Sequence, residues 1–202
     1  MSTEHGEQPE TEQAAAEPDD APRLPPRKLH VLAVVVVLAY AVDLITKVVA
    51  LATLEGQEPV RVLGGAVYFQ VVRNPGAAFS MATGLTWVLT IIATAVVITI
   101  CWIARKLRSS GWAVGLGLIL AGALGNLTDR FFRAPGPLQG HVVDFVSVFA
   151  PNGEAFPIFN AADSSITIGG ALVVLLSLLG KDYDGRSTRS RRAKDGREAS
   201  SG

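Results

Sequence analysis

LHVLAVVVVLAYAVDLITKVVAL, residues Leu29–Leu51, is long and apolar enough to cross a membrane, yet it carries an aspartate and a lysine. About 20 apolar residues span a hydrocarbon core roughly 30 Å thick. Three later segments read the same way: Leu85–Ala104 (LTWVLTIIATAVVITICWIA), Trp112–Leu127 (WAVGLGLILAGALGNL) and Ser164–Gly180 (SSITIGGALVVLLSLLG). The second has no charge. The third is rich in glycine, which suits close packing against a neighbouring helix. Of the 202 residues, 49 % are hydrophobic and only 18 % charged. A mean hydropathy of +0.35 is likewise high for a soluble globule.

Charge fixes the expected orientation. Arg23, Arg27 and Lys28 precede the first span, RKLR (Arg105–Arg108) joins the second to the third, and Lys181 with a basic stretch follows the fourth. Lys and Arg concentrate on the cytoplasmic side, so both termini are expected in the cytoplasm. The expected class is an integral membrane, mainly α protein: four transmembrane helices over residues 29–180. Residues 1–28 read as a disordered cytoplasmic leader, since they are rich in Glu, Pro, Ala and Gln. That leader is too acidic to be a signal peptide. Residues 181–202 read as a disordered basic tail. The single cysteine, Cys101, excludes an internal disulfide and is expected to pack as a small apolar residue.

Two segments then lie outside the membrane, about Ala52–Gly84 and Thr128–Asp163. The first contains VRVLGGAVYFQVV, whose β-branched and aromatic residues around Gly-Gly predict a small extracytoplasmic β-cradle. Asn-Pro-Gly in RNPGAAFS demands a turn. Depth is informative next. Asp43 lies roughly 21 Å along the helix from Leu29, and Asn126 roughly 21 Å from Trp112, both in the outer halves of their spans. Lys47 shares a helix face with Asp43. Asp129, Arg130, Asn160 and Asp163 fall at the same level, and HVVDFVSV (His141–Val148) places Asp144 in the loop between the last two spans.

Plainer readings exist. Lys47 can snorkel to the headgroups, Arg130 can anchor the interface beside a solvated Asp129, and Asn160 and Asp163 suit a helix N-cap. His141 reads as an interfacial polar residue. Asp43 and Asp144 are harder to dismiss, being set among apolar residues with no capping position in view. Ionisable residues at such depth are functional candidates.

The chain lacks HExxH, and its three histidines are scattered, which argues against a zinc protease. It also lacks GxSxG and any phosphate-binding loop. Carboxylate chemistry remains. Two close aspartates share one proton and can activate a water between them. Asp144 and Asp163 could converge in this way, with no metal or other cofactor, although spacing alone does not bring them together.

Five blocks in order resemble the lipoprotein signal peptidases (signal peptidase II) of bacteria: DLITK (Asp43–Lys47), NPGAAFS (Asn74–Ser80), GALGNLTDR (Gly122–Arg130), VVDF (Val142–Phe145) and FNAADSSI (Phe159–Ile166). The resemblance implies an aspartic endopeptidase of the bacterial cytoplasmic membrane with Asp144 and Asp163 catalytic. It would cut the signal peptide of a prolipoprotein just before the diacylglyceryl-modified cysteine. Asn126 and Arg130 would bind the substrate backbone, supported by Asp129. Asn74, Gly76, Ala78, Phe79, Gly122 and Asn160 would contribute to the substrate site, and Asp43 and Lys47 would be structural and positioning.

Implied partners are prolipoproteins, membrane lipids and globomycin-type inhibitors, with no nucleic acid; the active site would face the extracytoplasmic side. One departure is visible. The family often has two glycines where this chain has Ala121–Gly122, and the added methyl is expected to tighten the groove. A proton-coupled transporter is the rival reading, but the inner halves of the spans lack the polar residues of a pathway. A presenilin-type protease would need GxGD, which is missing.

Overall fold

The computed structural model describes residues 25–76 and 86–185. Among the described residues, four helices are long and apolar enough to cross a membrane: α1 (Leu29–Leu54), α2 (Thr86–Ala104), α3 (Ser110–Phe132) and α4 (Ala161–Leu178). Three strands complete the fold among the described residues: β1 (Val60–Val62), β2 (Val67–Asn74) and β3 (Val142–Val148). The four-helix membrane architecture with a small sheet is therefore as expected.

The glycine-rich third span becomes the central helix. α3 packs most extensively on α4, then on α1, and least on α2. Glycine permits the closest approach. A Cβ on Gly169 would lie 2.6 Å from the Gly115 carbonyl oxygen, and one on Gly115 would lie 2.8 Å from Val173 Cγ2. Without a hydrophobic driving force between helices in lipid, such close packing carries much of their association. Gly169→Val is expected to lower the thermal unfolding midpoint of the purified protein, since overpacking costs about 1–3 kcal/mol. An unchanged midpoint in a detergent-based unfolding assay would contradict that close contact.

Two span boundaries differ from expectation. α3 continues to Phe132, so Asp129 and Arg130 belong to the helix and not to a loop. The helix can carry them because both are buried inside the protein rather than set against lipid. α4 begins earlier, at Ala161, because Asn160 and Asp163 form a reciprocal capping box there.

The chain also does not leave the bundle at Lys181. The Tyr183 carbonyl accepts from the N–H groups of Arg108 and Ser109 at 2.8 and 3.2 Å, and Trp112 Nε1 donates to the Lys181 carbonyl at 2.7 Å. The Trp112 and Tyr183 rings meet edge to face. These bonds hold residues 181–185 against the turn between α2 and α3. Cys101 departs from expectation too, lying exposed on α2 near Ile98 and Trp102.

The predicted hairpin forms, with Val60 opposite Phe69 and Val62 opposite Val67. Its tight 3-10 turn uses Gly65 at φ 101°, where a Cβ would lie 2.7 Å from Arg61 Nε. HVVDFVSV supplies the third strand, and the sheet order is β1-β2-β3, antiparallel throughout. That pairing places Val72 opposite Asp144 and Asn74 opposite Val142. The sheet is thus built from both of the segments expected outside the membrane.

Candidate active site

β3 is buried through Val142, Val143, Asp144 and Phe145. One edge pairs with β2. At the other edge Val146 pairs with Phe159 through bonds of 2.9 and 3.0 Å. This return brings Asn160 and the start of α4 beside Asp144. Asp144 Oδ1 accepts from Asn160 Nδ2 at 2.7 Å, and Oδ2 accepts from Asn74 Nδ2 at 2.8 Å.

Asp163 sits in the first turn of α4. Its Oδ1 accepts from Asn126 Nδ2 at 2.8 Å, and its Oδ2 accepts from the Asn160 N–H at 3.2 Å. Asn160, with no exposed surface, therefore bonds both aspartates at once. The Asp144 carboxyl is pushed up to about 7. Burial is the main cause and the neighbouring Asp163 charge the second, while the amides of Asn74 and Asn160 and the Lys47 charge act against them.

A cavity of about 820 Å³ opens beside the pair. Asn74, Gly76, Asn126, Arg130, Asp144 and Asp163 form its polar end, while apolar side chains of α2, α3, α4 and residues 156–159 form most of the rest. Arg130 is 7 % exposed. Its Nη2 donates to the Gly76 carbonyl at 3.5 Å, whereas Nη1 has no partner among the described residues. A buried cationic donor without a partner is costly.

The remaining candidates divide. Gly122 lies in the α3–α4 contact, where a Cβ would press on Ile166 Cγ1 at 2.7 Å, and Ala121 is buried without lining the cavity. Neither glycine nor added methyl therefore shapes the groove directly. Asp129 also stays away from it: the carboxylate binds Lys47, Arg133 and the Val143 N–H. Lys47 does not snorkel, since it is fully buried between Asp43 and Asp129 at 2.8 Å from each.

Asp43 does have a capping position after all, although on another helix. Its Oδ1 accepts from the Ala162 N–H in the first turn of α4 at 2.9 Å. Ala78 and Phe79 lie outside the described residues. Sequence reasoning missed Phe156, which lines the cavity half-exposed and meets Phe159 edge to face. The Phe-Pro pair at 156–157 was the available signal.

The sequence matches the family model described as Signal peptidase (SPase) II over residues 35–179. The chain belongs to the signal peptidase II family. It is 52 % identical over 186 residues to the lipoprotein signal peptidase of Mycobacterium tuberculosis, covering 92 % of this chain and 88 % of that protein. The lipoprotein signal peptidase of Mycobacterium avium is 51 % identical over 189 residues, covering 93 % of this chain and all of the relative. Among solved structures, a bacterial membrane enzyme determined by the in meso method at 2.3 Å resolution superimposes with a TM-score of 0.65 at 29 % identity, covering 77 % of this chain and 92 % of that one. Family membership and fold thus agree, and the chain is an integral membrane protein of the signal peptidase II family.

Proposed function

We propose that this protein is an aspartic endopeptidase that removes the signal peptide of diacylglyceryl-modified prolipoproteins, cutting immediately before the lipidated cysteine. The observation that carries the aspartic reading is the bridging of Asp144 and Asp163 by Asn160 at the polar end of an otherwise apolar cavity. The names of the relatives support the substrate class. The basic residues at the opposite end of the bundle, including Arg105, Lys106 and Lys181, support cytoplasmic termini and an extracytoplasmic site.

The chemistry follows from the pair. Asp144 carries the shared proton and Asp163 acts as base toward a water between them. Water attacks the scissile carbonyl carbon as Asp163 takes its proton and Asp144 gives its own to the carbonyl oxygen. The resulting gem-diol collapses when Asp163 returns its proton to the departing cysteine amine and Asp144 regains one from a diol hydroxyl. Each aspartate ends as it began. Arg130 Nη1, which has no other partner among the described residues, bonds the substrate carbonyl.

An apolar signal helix and two acyl chains fit the apolar flank between α2 and α4, so the bond is reached without leaving lipid. Globomycin-type cyclic peptides would compete for the same cavity. The deciding experiment incubates the purified protein with a diacylglyceryl-modified prolipoprotein and with its unmodified form. Mass spectrometry should find a new N-terminal lipidated cysteine from the first only. Equal cleavage of both would remove the lipid requirement, and cleavage elsewhere would remove the assigned bond.

Protonated Asp144 is the active form here, and its carboxyl is pushed up to about 7. The value of kcat/KM should therefore fall about tenfold per pH unit above that point. A profile still rising at pH 9 would assign the proton elsewhere.

A further inference from the structure

The chain between β3 and α4 takes a strained path. Phe149 and Asn152 both adopt left-handed backbone, with φ of 65° and 59°, and Phe149 is bulky for that region. Such conformations persist only where the surroundings enforce them, and they gather at functional sites. The enforcement here is polar and buried. Gln70, 4 % exposed, accepts from the Asn152 N–H through Oε1 at 3.1 Å. The fully buried Ser147 hydroxyl donates to the Ala150 carbonyl at 2.7 Å and accepts from the Gly153 N–H at 3.2 Å. The Phe149 N–H donates to the Ala66 carbonyl at 3.0 Å.

What this turn delivers to the cavity is Phe156. Pro157 follows it, fixing its own φ and keeping Phe156 out of helical backbone. The Phe156 ring meets Phe159 edge to face, with centroids 6.0 Å apart. It lines the cavity, yet 52 % of the residue stays exposed. A ring held in this way offers a large, rigid apolar face that nothing in the resting protein covers.

The cavity extends to two sides of the aspartates. On one it follows Leu89 and Val96 of α2 and reaches Ile168 of α4, about 10 Å along that helix from its start. This is the apolar side that takes the signal helix and the acyl chains. On the other side, ahead of α4 in the chain, lie Asn74, Gly76, Phe156 and Pro157. A substrate whose signal helix and acyl chains lie in lipid must lead its remaining chain out past this second side.

We propose that Phe156 is a specificity-determining residue whose ring packs on the side chain of the residue following the lipidated cysteine. This rests on the peptidase reading above and adds to that site a contact beyond the scissile bond. Asn74, Arg130 and the aspartates offer polar groups to the substrate backbone, whereas Phe156 offers only apolar surface. An aliphatic side chain covers that surface and glycine leaves it bare.

The test uses the purified full chain in detergent with two diacylglyceryl-modified prolipoproteins that differ only in carrying leucine or glycine after the cysteine. Wild type should cleave the leucine substrate with a kcat/KM about tenfold higher, the low end of what aliphatic carbons contribute to discrimination, since the ring stays partly in water. The difference should lie in KM, because a contact made equally before and during the reaction changes binding alone. Phe156→Ala should bring the two substrates within about twofold of each other, with kcat within about threefold of wild type. Phe156→Tyr keeps the ring and should keep the preference. Thermal unfolding is followed in parallel.

Equal wild-type kcat/KM for the two substrates overturns the proposal, and that comparison needs no variant. An unchanged preference in Phe156→Ala overturns it as well. So does a loss in that variant that falls on kcat for both substrates alike, which would mark the ring as a structural support. Failure of the wild type to cleave either substrate would instead bring down the peptidase reading, and this inference with it.

Discussion

Asp144→Asn and Asp163→Asn should each yield a folded membrane protein that processes no prolipoprotein, with kcat lower by about 10⁴-fold or more, the scale seen when one member of a cooperating catalytic set is removed. Asparagine keeps the shape of the side chain. At 163 its oxygen can still accept from the Asn160 N–H and preserve the capping box. What disappears is the exchangeable proton at one position and the base at the other. Cleavage is read by the gel shift of a lipidated substrate and folding by thermal unfolding; normal processing by either variant would end the dyad assignment.

The same substitution at 144 has a signature in stability. The Asp144 carboxyl goes from the ordinary 3.8 to about 7 on folding, so the folded state holds the proton more tightly than the unfolded chain. Its ionisation therefore makes wild-type stability fall as pH rises from about 4 to about 7. Asp144→Asn cannot ionise, and its unfolding midpoint should vary less across that window. Identical pH dependence in the two proteins would mean that Asp144 is solvated or ionised throughout.

Arg130→Met should lower kcat/KM by about 10²–10³-fold, the usual loss when one donor to a developing oxyanion is removed. The argument rests on Nη1, which is buried, cationic and without a partner among the described residues, at the polar end of the cavity. A donor left unpaired in the resting protein costs stability, so the variant should unfold no earlier than wild type. Arg130→Lys keeps the charge but not the planar fork, and should recover only part of the rate. A structural anchor at the interface would behave in the opposite way, losing stability while retaining turnover.

Much of the architecture was legible because membrane spans are a strong one-dimensional signal. Four apolar runs and one-sided Lys and Arg residues announced the bundle, and Gly-Gly with its flanking β-branched residues announced the hairpin. The ends of the helices were less legible. Asp129 and Arg130 looked like the start of a loop because hydropathy does not record that a charge is buried in protein instead of lipid. Lys47 looked able to snorkel for the same reason, since Asp129, its second counter-ion, lies on another helix.

By itself the sequence determined the four spans, their order and the common level at which Asp43, Asn126, Arg130, Asp144 and Asp163 gather. Those are properties of chain length, hydropathy and helix rise. Only the tertiary structure decided that β3 pairs with β2 and with Phe159, which sets Asp144 beside the first turn of α4. It alone decided that Asn160 bonds both aspartates, and that Asp43 and Asp129 hold the backbone before each. The reason is physical: a hydrogen bond between residues far apart in the chain depends on where packing places them. Spacing in the sequence records the residues but not that placement.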